Sequence, residues 1–265
     1  MKNLGKSPKI FLGSVLGIMY IPIIFVIIYS FNESSISAIW GGFSLKWYQT
    51  LFKNQALFSA LQNSLILAFS SSICAAIIGT LGAFGMTKVK LKSAGMIEYI
   101  STLPIMIPEI ILGVVFMTFF ALIGLPFGMT TLIIAHTAFC IPYVFMLVKA
   151  RLIGMDKSLS EAALDLGASP VRVFFDIILP LIAPAIASGM LLSFTMSLDD
   201  VIISVFVTGA KTNTLPLLIY TQIKTGITPE INALCTLIFL ISVVFFAISL
   251  WIGRSPQKKH LPNNL

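Results

Sequence analysis

The sequence predicts an all-α polytopic membrane protein: six transmembrane helices and one helix-turn-helix loop standing in the cytoplasm. Three observations predict it. Of 265 residues, 57% are hydrophobic and only 10% charged, with a mean hydropathy of +1.00, which excludes an ordinary soluble globular domain. The apolar residues gather into segments long enough to cross a hydrocarbon core of about 30 Å at about 1.5 Å of rise per helical residue. The lysines and arginines crowd beside the ends of those segments.

The first span covers 10–31, which no charged residue interrupts. Lys2, Lys6 and Lys9 precede it, but the apolar run is too long for a signal peptide and lacks a clear small-residue cleavage site, so a retained span is expected. Residues 32–55 form an aqueous loop whose Trp40, Phe43, Trp47 and Tyr48 suit the membrane interface, with room for a short helix lying on it. Asn32-Glu33-Ser34 matches a glycosylation acceptor by chance. The second span, 56–86, is longer than a bilayer needs, so Gln62 and Asn63 are expected to face protein or water.

Lys88, Lys90 and Lys92 fill the next short loop. The third span, 97–123, contains Pro104 and Pro108 followed by Glu109, and is expected to bend where its backbone bonds are lost. A tight turn at 124–129 leads to the fourth span, 130–148, with His136 and Pro142 inside it. The fifth span is placed at 183–207 and the sixth at 231–252, with a loop over 208–229 between them. The expected organisation is a tail at 1–9, one transmembrane domain over 10–252 holding a loop at 151–182, and a tail at 253–265. Thirteen basic residues fall in the two tails and the loops around 88–92 and 149–182, against Lys46, Lys53, Lys211 and Lys224 on the other side. The positive-inside rule therefore puts both termini in the cytoplasm.

Residues 158–180 are built for water. Ser158 and Glu161 have the spacing of a capping box, Gly167 suits the left-handed end of a helix, and Ser169-Pro170 supplies an N-cap and a preorganised first residue. Two short helices with a break are expected, with Pro180 and Pro184 marking the return to the bilayer.

Glu161-Ala162-Ala163, three residues, Gly167, nine residues, Ile177, one residue and Leu179-Pro180 resemble, at every anchor, the loop that marks the permeases of binding-protein-dependent ABC importers. The resemblance implies a type I importer permease fold in a bacterial inner membrane. In that family this loop docks into an ATPase subunit, which assigns coupling roles to Glu161, Ala162, Ala163, Gly167, Leu179 and Pro180. It also implies the partners: an ATPase dimer that binds ATP and Mg, a homologous second permease and an extracytoplasmic binding protein.

No phosphate-cradling GxxxxGK[ST] run is present, and neither a metalloprotease motif nor a Ser-His-Asp set can be assembled from His136 and His260. The chain is therefore expected to be no enzyme and to hold no cofactor or metal itself. Cys74, Cys140 and Cys235 lie in apolar segments without paired spacing, which speaks against a disulfide. A net charge of +7 with no basic run interleaved with aromatics is a topology signal, not a nucleic-acid surface.

Ionisable groups inside spans cost about 2.5–3.5 kcal/mol each and mark a pathway or a paired site. Glu109, Asp199 and Asp200 are the candidates for the substrate pathway. Adjacent helical residues point about 100° apart, so the two aspartates share one spot only if the helix breaks; one binds substrate while its neighbour caps backbone or pairs with lysine, or both form a structural helix-break or an interfacial pair. Glu109 has the same two readings. Carboxylates lining a passage call for a cationic cargo, since a neutral or anionic one would not offset their desolvation.

The stretches 193–209, 215–220 and 228–234, with Tyr20-Ile-Pro22 and Tyr29-Ser-Phe-Asn32, resemble the spermidine/putrescine branch of the importer family, and that likeness implies polyamine transport. Tyr20, Tyr29, Trp40, Trp47 and Tyr220 are either cation-π partners for an ammonium or belt and packing aromatics. His136 is read as a satisfied packing residue and left out of the site. Two rivals stay open: an importer permease for an amino acid, thiamine or an iron complex, and a secondary transporter, which usually shows inverted repeats that are not apparent here.

Overall fold

The computed structural model describes residues 6–35, 39–88, 94–156, 158–225 and 229–253. The predicted basic positions Lys2, Lys90, Lys92, Lys157, Arg254, Lys258 and Lys259, and His260, lie outside them. Among the described residues the order is α1 Lys6–Tyr29, α2 Lys46–Lys53, α3 Gln55–Lys88, α4 Ala94–Met106, α5 Glu109–Leu122, α6 Met129–Ile153, α7 Ser158–Asp165, α8 Pro170–Val173, a π-turn Phe174–Ile178, α9 Leu179–Asp199, α10 Ile202–Val207, α11 Leu215–Thr225 and α12 Pro229–Gly253. Among the described residues four helical segments are long and apolar enough to cross a membrane, and a fifth is added if α4 and α5 count as one broken span. In α12 the apolar stretch Pro229–Val244 is shorter than that length among the described residues.

By its internal contacts the chain divides into two compact units, residues 1–55 with 222–265, and residues 56–221. In the first, α12 packs on α1 and α2. Asn32, fully buried, organises the loop between α1 and α2. Its Nδ2 donates to the Ile39 carbonyl at 2.7 Å, and its Oδ1 accepts from the N–H groups of Ser34 at 3.2 Å and Gly41 at 2.8 Å. A side chain so engaged is no glycosylation acceptor. The Trp47 indole donates to the Asn32 carbonyl at 2.6 Å, and Tyr29 meets Trp40 edge to face at 6.0 Å. These aromatics therefore pack the loop, while Tyr20 and Tyr220 stay exposed.

In the second unit α6 is the axis, packed by α9, α4, α10 and α5. With no water to drive apolar faces together in a bilayer, close approach decides helix association. Val144 of α6 shows it from both sides: a Cβ added at Gly79 of α3 would lie 2.9 Å from the Val144 Cβ, and one at Gly189 of α9 would lie 3.0 Å from its Cα. Asn63 near the start of α3 donates to the Asn213 carbonyl at 3.1 Å, in keeping with the expected surplus at that end of the span.

Three segments differ from expectation. The third span is two helices meeting at 108° rather than one bent helix. The break falls at Pro108, whose extended ψ of 134° ends the helical run, whereas Pro104 is absorbed inside α4. The fifth span is not a separate helix starting near 183, because a helical run is continuous from Pro170 to Asp199. It does not reach 207, because Asp200 is extended and α10 begins afresh. The connection over 208–229 contains α11.

Candidate functional site: the elbow and the acidic break

The elbow's first helix starts at Ser158, as its sequence signature suggests, but its start is held by a side chain two residues earlier. Ser158 is already inside α7, and its N–H donates to Asp156 Oδ1 at 3.0 Å. Bonds from Ser158 hold the Asp156 carboxyl below the usual carboxylate range. Asp156, rather than Ser158, thus supplies the cap.

α7 ends in a Schellman motif: Ala168 N–H donates to the Ala163 carbonyl at 3.0 Å and Gly167 N–H to the Leu164 carbonyl at 2.9 Å. That closure needs the left-handed backbone, and Gly167 has φ +84°. Ala163 and Ala168 pack against the core, fixing the turn to the bundle. Ser169 Oγ then accepts from Arg172 N–H at 3.3 Å, with Pro170 in the first turn of α8.

The chain next solves a steric problem. Inside a regular α-helix the Pro180 ring would meet the Asp176 carbonyl. The π-turn just before it widens the helix, with Leu179 N–H reaching back to the Phe174 carbonyl. The second elbow helix therefore runs into α9 without a break. Glu161, Ala162, Gly167 and Pro180 are exposed, whereas Ala163 and Leu179 are half-buried. Leu166 at the tip of the turn is 89% exposed.

The other end of that helical run is the Asp199-Asp200 pair. The break gives the two side chains different surroundings. Asp200 is buried, and it caps α10 by accepting from Ile203 N–H at 3.2 Å, Ser204 N–H at 2.9 Å and the Ser204 hydroxyl at 3.0 Å. Its Oδ2 also lies 3.4 Å from His136 Nε2. Asp199 is exposed, as is Glu109 at the first turn of α5. Glu109 is within Coulombic range of both aspartates. Among the described residues neither Glu109 nor Asp199 has a basic side chain at ion-pair distance.

α5 and α10 pack together closely enough to bring these acids into one region. Gly113 makes that approach possible, because a Cβ there would lie 2.4 Å from Cδ2 of Phe206.

His136, which the sequence presents as a satisfied packing residue, is part of this arrangement. It is fully buried, with Nδ1 2.8 Å from Ser197 Oγ and Nε2 3.2 Å from Ser204 Oγ. Ser71 of α3 donates to Ser197 at 3.0 Å, extending the network. The histidine is indeed satisfied, but by the groups on either side of the acidic break. Its sequence signal was the set of small hydroxyls, Ser71, Ser197 and Ser204, inside spans.

One helical run thus has an exposed elbow at one end and the acidic break at the other. Residues 75–255 match the model of the binding-protein-dependent transport system inner membrane component, and the chain belongs to that family, as a multi-pass inner-membrane permease. Within it, the chain is 40% identical over 248 residues to the spermidine/putrescine transport system permease protein PotC of Escherichia coli (strain K12), covering 94% of each chain. It is also 40% identical over 249 residues to the putrescine transport system permease protein PotI of the same organism, covering 91% of this chain and 89% of that one. The fold is shared with a crystal structure of a bacterial ABC transporter involved in the import of the acidic polysaccharide alginate, at a TM-score of 0.70, 15% identity and coverage of 97% and 100%.

Proposed function

We propose that this chain is the permease subunit of an ATP-driven importer of polyamines such as spermidine and putrescine. The observation that carries the reading is the uninterrupted helical run from Pro170 to Asp199, which joins an exposed, capped elbow to clustered carboxylates. Likeness to two polyamine permeases over nearly the whole chain supports the cargo.

In this reading Glu161, Ala162, Ala163, Gly167, Leu179 and Pro180 form the handle held by one subunit of an ATPase dimer, which binds ATP and Mg; this chain does no chemistry of its own. Both termini and the elbow lie in the cytoplasm. A homologous second permease completes the passage, and an extracytoplasmic binding protein delivers the cargo. Glu109 and Asp199 face the cation, whose ammonium groups replace the missing basic partners, while Asp200 holds the bend. The cargo contributes only its differential affinity for the two states, so nucleotide binding must supply most of the switching free energy.

The test is uptake of labelled spermidine and putrescine by proteoliposomes holding this chain, its partner permease, the ATPase and the loaded binding protein. Uptake that requires both ATP and the ATPase is expected. Uptake that persists without either contradicts an ATP-driven importer, and ATP-dependent uptake of another solute with no polyamine uptake contradicts the cargo.

A further inference from the structure

A histidine in a bilayer span is costly unless its nitrogens are satisfied, and the site needs no polar group there for packing alone. His136 nevertheless has both nitrogens engaged, and the partners lie on opposite sides of the helix break. Nδ1 meets Ser197, three residues before Asp200 in α9; Nε2 meets Ser204 in α10 and Asp200 at the break itself. The ring is rigid and fully buried, so these contacts fix three groups at set positions about one plane.

We infer that His136 is a positioning residue, a clamp across the break that sets the angle between α9 and α10 and thereby the placement of Asp199 against Glu109. This rests on the proposed reading of the elbow as the handle and of Glu109 and Asp199 as passage groups.

The geometry gives the clamp a mechanical role. The helical run from Pro170 to Asp199 is one lever, and its far end is fastened to α6 by the histidine and, one turn lower, by Ser193, whose hydroxyl donates to the Cys140 carbonyl at 3.4 Å. Movement of the elbow therefore turns the lever about its held end instead of sliding it along α6. Asp199 sits at that end, with its carboxylate free of the clamp. A carboxylate at Nε2 calls for a proton on that nitrogen, which leaves Nδ1 to accept from the Ser197 hydroxyl. Without the ring, Asp200 keeps its backbone caps, but no side-chain contact of the histidine spans from them to α9 and the chain itself is the link at the break.

The test compares His136→Leu, which removes both polar contacts, with His136→Gln, whose amide reaches towards the Nε2 partners, in the complete reconstituted importer. For His136→Leu, polyamine uptake per ATP hydrolysed is expected to fall about tenfold in a complex that still assembles, with His136→Gln recovering most of it. Equal losses of hydrolysis and uptake, or no loss of either, overturn the clamp.

A second measurement needs neither cargo nor assembly of an active transporter. Spin labels at Leu191→Cys and Val205→Cys, both exposed positions, report the distance across the break. The background replaces Cys74 and Cys235 and retains the buried Cys140. One narrow distance distribution is expected with His136 or Gln and a broad one with Leu; equal widths in all three overturn the inference. If wild-type protein transports no polyamine while the distance result holds, the cargo assignment fails and the clamp stands.

Discussion

Asp200 holds Ser204 twice, its Oδ2 accepting from the backbone N–H at 2.9 Å and from the hydroxyl at 3.0 Å. A cap of this kind contributes about 1 kcal/mol, and more is lost when burial leaves N–H groups unpaired. Asp200→Ala is therefore expected to lower the thermal midpoint of the detergent-solubilised protein clearly more than Asp200→Asn, which keeps one acceptor oxygen. Equal midpoints for the two variants would remove the capping role.

Glu109 and Asp199 are exposed carboxylates without basic partners among the described residues. Glu109→Gln or Asp199→Asn is expected to cut polyamine uptake about tenfold, equivalent to about 1.4 kcal/mol, while leaving the thermal midpoint near that of wild type. Wild-type uptake rates in both variants would take these residues out of the passage.

Gly167 has φ +84° and open space where a Cβ would stand, so substitution there strains the backbone without a clash. The strain is about 1–2 kcal/mol for most side chains and smaller for Asn. Gly167→Val is expected to uncouple ATP hydrolysis from uptake while the chain still inserts, with Gly167→Asn intermediate. Coupled transport by Gly167→Val at the wild-type rate would show that the turn geometry does not matter.

Gly113 tests the packing that gathers the acids. A methyl there collides with Phe206, and such overpacking costs about 1–3 kcal/mol. Gly113→Ala is expected to lower the midpoint and the uptake together, and Phe206→Leu is expected to rescue both. Failure of the second change to compensate would place the cost elsewhere.

How far the sequence alone reveals these features depends on how local their causes are. Spans are readable because hydrophobic length is a local quantity, and the turn at Gly167 because the φ requirement belongs to one residue. Pro180 is legible as the mark of the return to the bilayer, but how the helix accommodates it is not. A proline in a helix can end it or widen it, and the π-turn at Phe174–Ile178 chooses the second. Asp156 was missed as a cap because the Ser158-Glu161 spacing offered an equally local alternative. His136 was undervalued for a different reason: its partners Ser197 and Ser204 lie 61 and 68 residues away along the chain, and only packing of α6 against α9 and α10 brings them to it.

The elbow's role as a handle is tested most directly by disulfide or bifunctional cross-linking from Leu166→Cys, at the exposed tip of the turn, in the assembled importer. A cross-link to the ATPase subunit is predicted. A cross-link to the extracytoplasmic binding protein, or labelling of that cysteine by an impermeant reagent from outside intact cells, would contradict it.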